Sequence, residues 1–345
     1  MRWAAQVLGA DDAALPGLAL GDLVRSVRAP EFAGVTFHEV RARTALNRVS
    51  TPMPFRWSLN TMRGCGHGCW FCYARRSHEF LGLDAGADFV EQIVVKTSVV
   101  EVLRAELARP GWRREHVAVG TTSDPYQRAE GRYRLMPGVI AALAGSGTPF
   151  SVTTRGTLLR RDLPALAEAA ASVPVGINVS LGLVDEPLAR ALEPGAPTPR
   201  ARLELIAAVR DAGLGCHVFV APVLPWITDD LPSLDALLGQ VRAAGATAVT
   251  VMPLRLPGSV RDVFLGWLAT ERPALVGRYR ALYRQASPPR RYTEHLASLV
   301  QPLLARHGLD RARAVGHPAE VVLRPPGDRA GRASSRGRAD APTLF

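Results

Sequence analysis

Between residue 57 and about residue 270 the chain alternates short, apolar, β-branched runs with longer stretches in which apolar residues recur every three or four positions. The first pattern is that of a strand buried on both faces, and the second that of an amphipathic helix. FRWSL near residue 57, HVAVGTT (116–122), FSVTTRG, GINVSLG, CHVFVAP and TAVTVMPL are the strand runs. Ser98 to Ala108 predicts a helix, with Val99, Leu103 and Leu107 on one stripe and Ser98 followed three residues later by Glu101 as in a capping box. Further helices are expected from Ala74 to Phe80, from near Pro137, and after Thr198. There threonine followed by Pro199 reads as an N-cap with proline at the first helical position, and Gly213 as the stop. Six strand-helix units result.

Continuous apolar strands alternating with helices imply a parallel sheet, either open and doubly wound or curved into a barrel. The pattern does not choose between these. Residues 1–54 are polar and irregular, ending in the proline-marked STPMPF, and read as an extension packed on the core; residues 55–270 carry the repeating units. Residues 271–323 are expected to supply C-terminal helices, with Leu275 to Leu304 forming two, interrupted at Pro288 and Pro289. The last stretch, 324–345, is rich in Arg and Gly without apolar periodicity and is expected to be disordered.

At 345 residues with 47% apolar content the chain can bury a full core. No apolar run approaches the roughly 18 residues of a membrane span, and MRWAAQVLGADDAALPG carries acids where a secretory segment would be apolar. A cytoplasmic location is expected, where thiols stay reduced. The net charge of +11 invites a nucleic-acid reading. Of the 42 basic residues, however, only Lys96 is lysine, a bias that GC-rich coding alone would produce. Arginines such as Arg104, near Glu101 and Glu106, also fit an ordinary solvated face.

Three of the four cysteines, Cys65, Cys69 and Cys72, fall in RGCGHGCWFCYAR at C-x3-C-x2-C spacing. Gly64, Gly66 and Gly68 would let such a loop wrap tightly enough for three thiolates to share one face. A structural zinc site wants four ligands, commonly as two pairs, whereas Cys216 stands alone far downstream. Thiolates also hold iron-sulfur clusters, and a cluster with one iron left open suits three cysteines better.

The motif, with Phe71 just before the third cysteine, resembles the signature of the radical S-adenosylmethionine (SAM) enzymes. GTTSDPYQRAEGRYRLMPG, TTRGTLLRRDL, LEPGAPTPRARLELI and VAPVLPWITDD are similar to the actinobacterial radical SAM proteins related to spore photoproduct lyase. The resemblance spans nearly the whole chain except the tail. It implies a partial (β/α)6 TIM-like barrel with the cluster loop after the first strand, and a [4Fe-4S] cluster on Cys65, Cys69 and Cys72. It also implies SAM bound at the open iron and cleaved reductively to a 5′-deoxyadenosyl radical. An electron donor such as flavodoxin or ferredoxin is then required, and a nucleic-acid substrate is suggested by the lyase.

By position in that family, Ser123 and Asp124 would receive the methionine ammonium, although SDPY is also a good turn sequence. Asn178 and Ser180 are candidates for the ribose hydroxyls, or fill a polar barrel mouth; Phe71 and Tyr73 would flank adenine, or pack the loop. Arg155, where close relatives are expected to have lysine, could meet a carboxylate. Glu193, Arg200 and Arg202 look like substrate contacts or a salt-bridged helix start. His67 reads as a solvent-facing loop residue. The lyase uses a hydrogen-atom donor, and Tyr126 is the candidate here, since Cys216 looks buried and inert. Two other classes compete: a zinc-stabilised module with His78 as fourth ligand, and a nucleic-acid-binding protein with structural cysteines.

Overall fold

The structure, a computed structural model, describes residues 6–7, 23–50 and 53–310. The expected disordered tail, 324–345, lies outside the described residues. From the N-terminal segment come β1 (Gln6–Val7), β2 (Leu23–Arg28), β3 (Thr36–Val40) and β4 (Leu46–Arg48). Around the cysteine loop lie β5 (Trp57–Leu59), β6 (Met62–Arg63) and β7 (Gln92–Lys96). The remaining strands are β8 (Val117–Val119), β9 (Phe150–Thr154), β10 (Val175–Ser180), β11 (Cys216–Val223) and β12 (Ala248–Pro253).

The main sheet has the order β12-β11-β10-β9-β8-β5-β4. Its six strands from β5 to β12 run parallel, and β4 adds an antiparallel edge beside β5. This is the expected partial (β/α)6 barrel. The cysteine loop follows its first strand, and helices Val99–Leu107, Met136–Gly145, Leu163–Ala170, Pro199–Asp211 and Leu231–Ala244 cover its outer face. Register fixes the core. Leu59 opposes Val119, Val119 opposes Val152, Val152 opposes Ile177, and Ile177 opposes Cys216, all essentially without solvent exposure. Each such aliphatic side chain removed from water is worth about 1.5–3 kcal/mol, which makes this sheet the rigid base for the loops at its C-terminal ends.

The N-terminal segment differs from the irregular extension expected. Residues 23–48 are largely strand, and β2 and β3 join β7 and β6 in a second sheet, β1-β2-β3-β7-β6. Polar residues obscured that pattern because they pair across strands. Ser26 Oγ bonds His38 Nδ1 at 2.8 Å, His38 Nε2 bonds Gln92 Oε1 at 2.8 Å, and Arg25 donates to Glu39 at 2.7 Å. Buried polar groups with partners cost far less than orphaned ones, so these strands need no apolar alternation.

The helix at Val99–Leu107 is present without its capping box. Ser98 is not extended (φ −93°, ψ 10°), and its Oγ accepts instead from the backbone N–H of Ala42. Glu106, on the same helix, accepts from the N–H groups of Ala45 and Leu46, so its polar side chains clamp the N-terminal segment. Residues Tyr73–Leu81 are helical as expected, but in the tighter 3-10 form.

Two C-terminal helices appear, Val276–Leu282 and Arg290–Arg306, separated by the stretch containing Pro288 and Pro289. The segment from Leu254 to Tyr283 covers the cysteine-loop side of the barrel: Phe264, Trp267, Tyr279 and Tyr283 share an apolar cluster with Cys69, Phe71 and Leu192. Trp267 Nε1 donates to Ala191 O at 3.1 Å, locking this cover to the segment before Glu193. Among the described residues, no helix is long and apolar enough to cross a membrane.

Candidate metal centre

The chain leaves β5 at Leu59 and turns through Gly64 (φ +80°) and Gly68 (φ +66°), both left-handed, where a side chain would be strained. Gly66 does not share that conformation, and a Cβ there would meet only Gln127 Oε1, at 3.8 Å. Cys65 N donates to Phe89 O at 3.0 Å, Gly68 N to Cys65 O at 3.3 Å, and Cys72 N to Cys69 O at 3.2 Å. The three thiols are thereby carried on one curl of backbone, none in a disulfide.

Arg75 holds that curl from within. Fully buried, it donates to Cys69 O (2.9 Å), Gly68 O (2.8 Å), Ala85 O (2.8 Å) and Gly86 O (2.8 Å), with Phe89 and Trp70 rings 5.1 and 5.5 Å from its guanidinium carbon. Sequence reasoning missed it; its only signal was its place three residues after Cys72. Gln127 was missed as well. Its Oε1 accepts from Gly66 N at 2.9 Å, and its Nε2 donates to Gly64 O at 3.2 Å and Ser123 Oγ at 3.0 Å.

The strand ends converge on this loop. Asn60, after β5, accepts from Thr122 N at 2.8 Å and donates to Thr121 Oγ1 at 3.1 Å. Tyr73, exposed at the mouth, donates its hydroxyl hydrogen to Thr121 O. Ser123 Oγ donates to Gly64 O at 2.9 Å. Asp124 is buried and engaged on both oxygens. Oδ1 accepts from Tyr126 N and Thr154 Oγ1, and Oδ2 accepts from Arg155 N at 2.6 Å and faces His67 Nδ1 at 3.3 Å. A carboxylate offers about four acceptor positions, and here each has a protein partner. Through these contacts Asp124 braces the loop against β9.

His67 is correspondingly not solvent-facing. It is 3% exposed, because Asp124 pairs with its ring while the segment after Leu192 closes over its backbone. Gly195 N donates to His67 O at 3.0 Å, and Trp70 N donates to Leu192 O at 3.1 Å. A Cβ on Gly195 would stand 2.0 Å from Gly66 O, so the glycine of LEPG is required by contact with the cysteine loop.

The acidic residue of LEPG lies between two arginines. Glu193 accepts from Arg155 Nε at 3.0 Å and from Arg202 Nη2; Arg155 also reaches Ala221 O at 3.3 Å, and Arg202 reaches Ser180 O at 3.1 Å. Arg155 lies over Phe71, its guanidinium carbon 5.5 Å from the ring centre. Its carboxylate partner is thus Glu193. Arg200 points elsewhere, to Glu204 on its own helix. Asn178 Nδ2 donates to Thr153 Oγ1 at 3.1 Å, and Ser180 is buried one residue pair further along β10. Tyr126 is buried with its hydroxyl donated to Asp162 Oδ2 at 3.0 Å, which commits its phenolic hydrogen to the start of helix Leu163–Ala170. Cys216 is buried in the core, where burial pushes its thiol up to about 12.

Burial also raises the Cys69 and Cys72 thiols, with Arg155 opposing in both cases. Cys65 goes the other way: burial would lift it, but the charge and hydrogen bond of His67 outweigh burial. Burial would likewise raise Asp124, yet His67 and the bonds from Arg155 and Thr154 hold it at about 2. Glu193 stays below its ordinary value despite burial because Arg202 and Arg155 flank it.

These residues fit an iron-sulfur cluster better than a single ion. One zinc would need its donors to converge at about 2.3 Å for sulfur. Among the described residues, no three His, Cys, Asp or Glu side chains converge in that way. His78 does not complete such a set, since its Nε2 bonds Gln92 O at 2.9 Å and its ring packs against Phe89. A cluster accepts one thiolate per iron and so spreads its ligands. Arg155 and Arg75, both acting electrostatically on the thiols, supply positive charge beside what would be an anionic group.

The sequence model of the Radical SAM superfamily matches residues 59–236, the stretch from the end of β5 into helix Leu231–Ala244. An uncharacterized protein of Mycobacterium tuberculosis is 58% identical over 318 residues, covering 90% of this chain and 93% of that protein. Solved structures of spore photoproduct lyase share the fold. The lyase complexed with dinucleoside spore photoproduct matches with TM-score 0.62 at 13% identity, over 79% of this chain and 80% of that one. A double mutant of the lyase with bound AdoMet and the same dinucleoside matches over the same shares, with TM-score 0.60 at 13% identity. The chain belongs to the radical SAM superfamily.

Proposed function

We propose that this chain is a radical SAM enzyme that binds a [4Fe-4S] cluster through Cys65, Cys69 and Cys72 and acts on a nucleic-acid substrate. When bound and reduced, such a cluster supplies the electron that divides SAM into methionine and a 5′-deoxyadenosyl radical, which takes a hydrogen atom from the substrate. The single observation that carries the reading is the three-thiol curl at the C-terminal end of the first parallel strand, where barrel chemistry sits.

The protein's own residues fix position and exclude water. Arg75, Gln127 and Gly195 hold the loop, while Asp124 and His67 tie it to β8 and β9. Ser123 follows β8, Asn178 and Ser180 lie on β10, and Phe71 and Tyr73 are in or next to the cysteine loop; we assign all five to the cofactor as positioning residues. Arg155, held by Glu193 and lying over Phe71, keeps a fixed positive charge next to the thiols. An external one-electron donor, flavodoxin or ferredoxin, is required by this chemistry.

The nucleic-acid part rests on the loop after β11. Trp226 adopts φ +60°, a strained conformation for a bulky residue, and remains 37% exposed. The guanidinium of Arg278 sits 4.2 Å from the ring centre. An exposed indole beside a cation suits a stacked base and its phosphate. The test is to incubate the anaerobically reconstituted chain with SAM, reductant and deuterated oligonucleotides. Deuterium in 5′-deoxyadenosine is the expected result; release of unlabelled 5′-deoxyadenosine only would support the enzyme and reject the substrate, and no release would reject both.

A further inference from the structure

A pocket lies at the opposite end of the barrel from the cysteine loop. Its cavity of about 330 Å³ is lined by Trp57, Trp112, Arg48, Arg56, Arg113 and Glu115. Trp57 opens β5, Arg48 closes the antiparallel β4 opposite it, and Glu115 precedes β8, so all three lie at the N-terminal end of the parallel strands. That volume is at the small end of the range for ligand sites.

The charges inside are unbalanced. Glu115 is already satisfied, accepting from Trp57 Nε1 at 2.7 Å and Arg56 Nη1 at 2.9 Å. Trp112 Nε1 is committed to Thr148 Oγ1 at 2.8 Å, leaving its ring as the apolar contribution to the wall. The two indoles meet edge to face, centroids 5.4 Å apart. Arg48 and Arg113 are exposed, and among the described residues neither side chain makes a hydrogen bond or an ion pair. Arg113 acts on Glu115 through its charge alone, so two guanidiniums with free donor groups stand beside two aromatic rings. Guanidinium groups match phosphate oxygens in fork geometry, a phosphate monoester carries about −1.5 to −2 charge near neutral pH, and indole surfaces favour planar rings.

We propose that this pocket binds a phosphate monoester attached to a planar ring, a nucleoside monophosphate being the simplest form, at a site separate from the cysteine loop. Arg48 and Arg113 take the phosphate, and Trp57 and Trp112 take the ring. The site does not depend on the cluster, so it is testable whether or not the radical chemistry is correct.

The experiment titrates the full chain with adenosine 5′-monophosphate, adenosine and inorganic phosphate by calorimetry, beside the double variant Arg48→Ala/Arg113→Ala. Because both arginines are exposed, the variant should melt at the wild-type temperature, and this is checked first. Adenosine 5′-monophosphate is expected to bind the wild type at least about tenfold more tightly than either half-ligand, and the double variant at least about tenfold more weakly, the scale of a charge-assisted contact. Charge reversal by Arg113→Glu should weaken binding at least as much. A loss smaller than tenfold in the double variant places any observed binding at the reaction mouth and overturns the proposal, as does a wild type that prefers neither arm.

Discussion

Replacing Gly195 by alanine tests whether the LEPG segment positions the cysteine loop. The added Cβ would lie 2.0 Å from Gly66 O and 3.2 Å from His67 Cα. Both obstructing groups are backbone, so neither can swing aside as a side-chain tip would. Restoring even a 3.0 Å contact requires a relative shift of about 1 Å between residue 195 and the loop; interiors packed at crystal-like density do not absorb this freely. Overpacking of this kind costs about 1–3 kcal/mol. Because the displaced atoms carry Cys65 and Cys69, the geometry of the metal centre moves with them, and a 1 Å misplacement can cost on the order of 100-fold in rate. Gly195→Ala should therefore lower the urea midpoint and the iron retained after reconstitution, and cut 5′-deoxyadenosine release by about two orders of magnitude. Gly266→Ala is the control. It lies in helix Val260–Glu271 with nothing within 4 Å of its new methyl, and should hold or raise stability by up to about 1 kcal/mol. A Gly195→Ala protein with wild-type iron and wild-type cleavage would refute the bracing role.

Other outcomes follow from the same geometry. Glu193→Gln leaves Arg155 and Arg202 buried around a neutral amide and should destabilise by about 3–5 kcal/mol in urea; adding Arg202→Met should recover part of that loss, and strict additivity would contradict the shared-carboxylate account. Tyr126→Phe removes its bond to Asp162, costing about 1–3 kcal/mol, while SAM cleavage stays within about twofold of wild type; abolished substrate turnover with cleavage intact would identify Tyr126 as a hydrogen donor. Lys96 is lowered by burial, and further by Arg63, from 10.5 to about 8. Its unfolded form holds more protons between those values, so its penalty is full below pH 8 and is relieved as pH rises toward 10.5. Lys96→Met should accordingly be more stable than wild type at pH 7, by up to about 2–3 kcal/mol, with the difference shrinking above pH 8. A difference independent of pH would remove Lys96 as the cause.

The strands of the main sheet were legible because they are buried on both faces, and a run such as VAV or FSVTT cannot be read as anything exposed. The cysteine loop was legible from spacing and glycine alone. The second sheet was not, since Ser26, His38 and Gln92 satisfy one another across strands and so imitate a polar loop. Ser98 and Glu101 had the letters of a capping box, but capping needs an extended N-cap backbone, and tertiary demand drew Ser98 to Ala42 instead. Within the site, side chains that hold backbone were the hidden ones. Arg75 and Gln127 bond carbonyls and amides of the loop, contacts that no residue pattern announces. His67 looked exposed because its partner, Asp124, lies 57 positions away in sequence and meets it only when β8 is in place.

On the proposed function, three thiols on one curl hold an iron-sulfur cube. Iron and acid-labile sulfide, counted per chain after anaerobic reconstitution and desalting, test it most directly. About four of each are expected in the wild type, with near-complete loss of both in Cys69→Ala. One zinc per chain without sulfide, or iron and sulfide undiminished in Cys69→Ala, would contradict it.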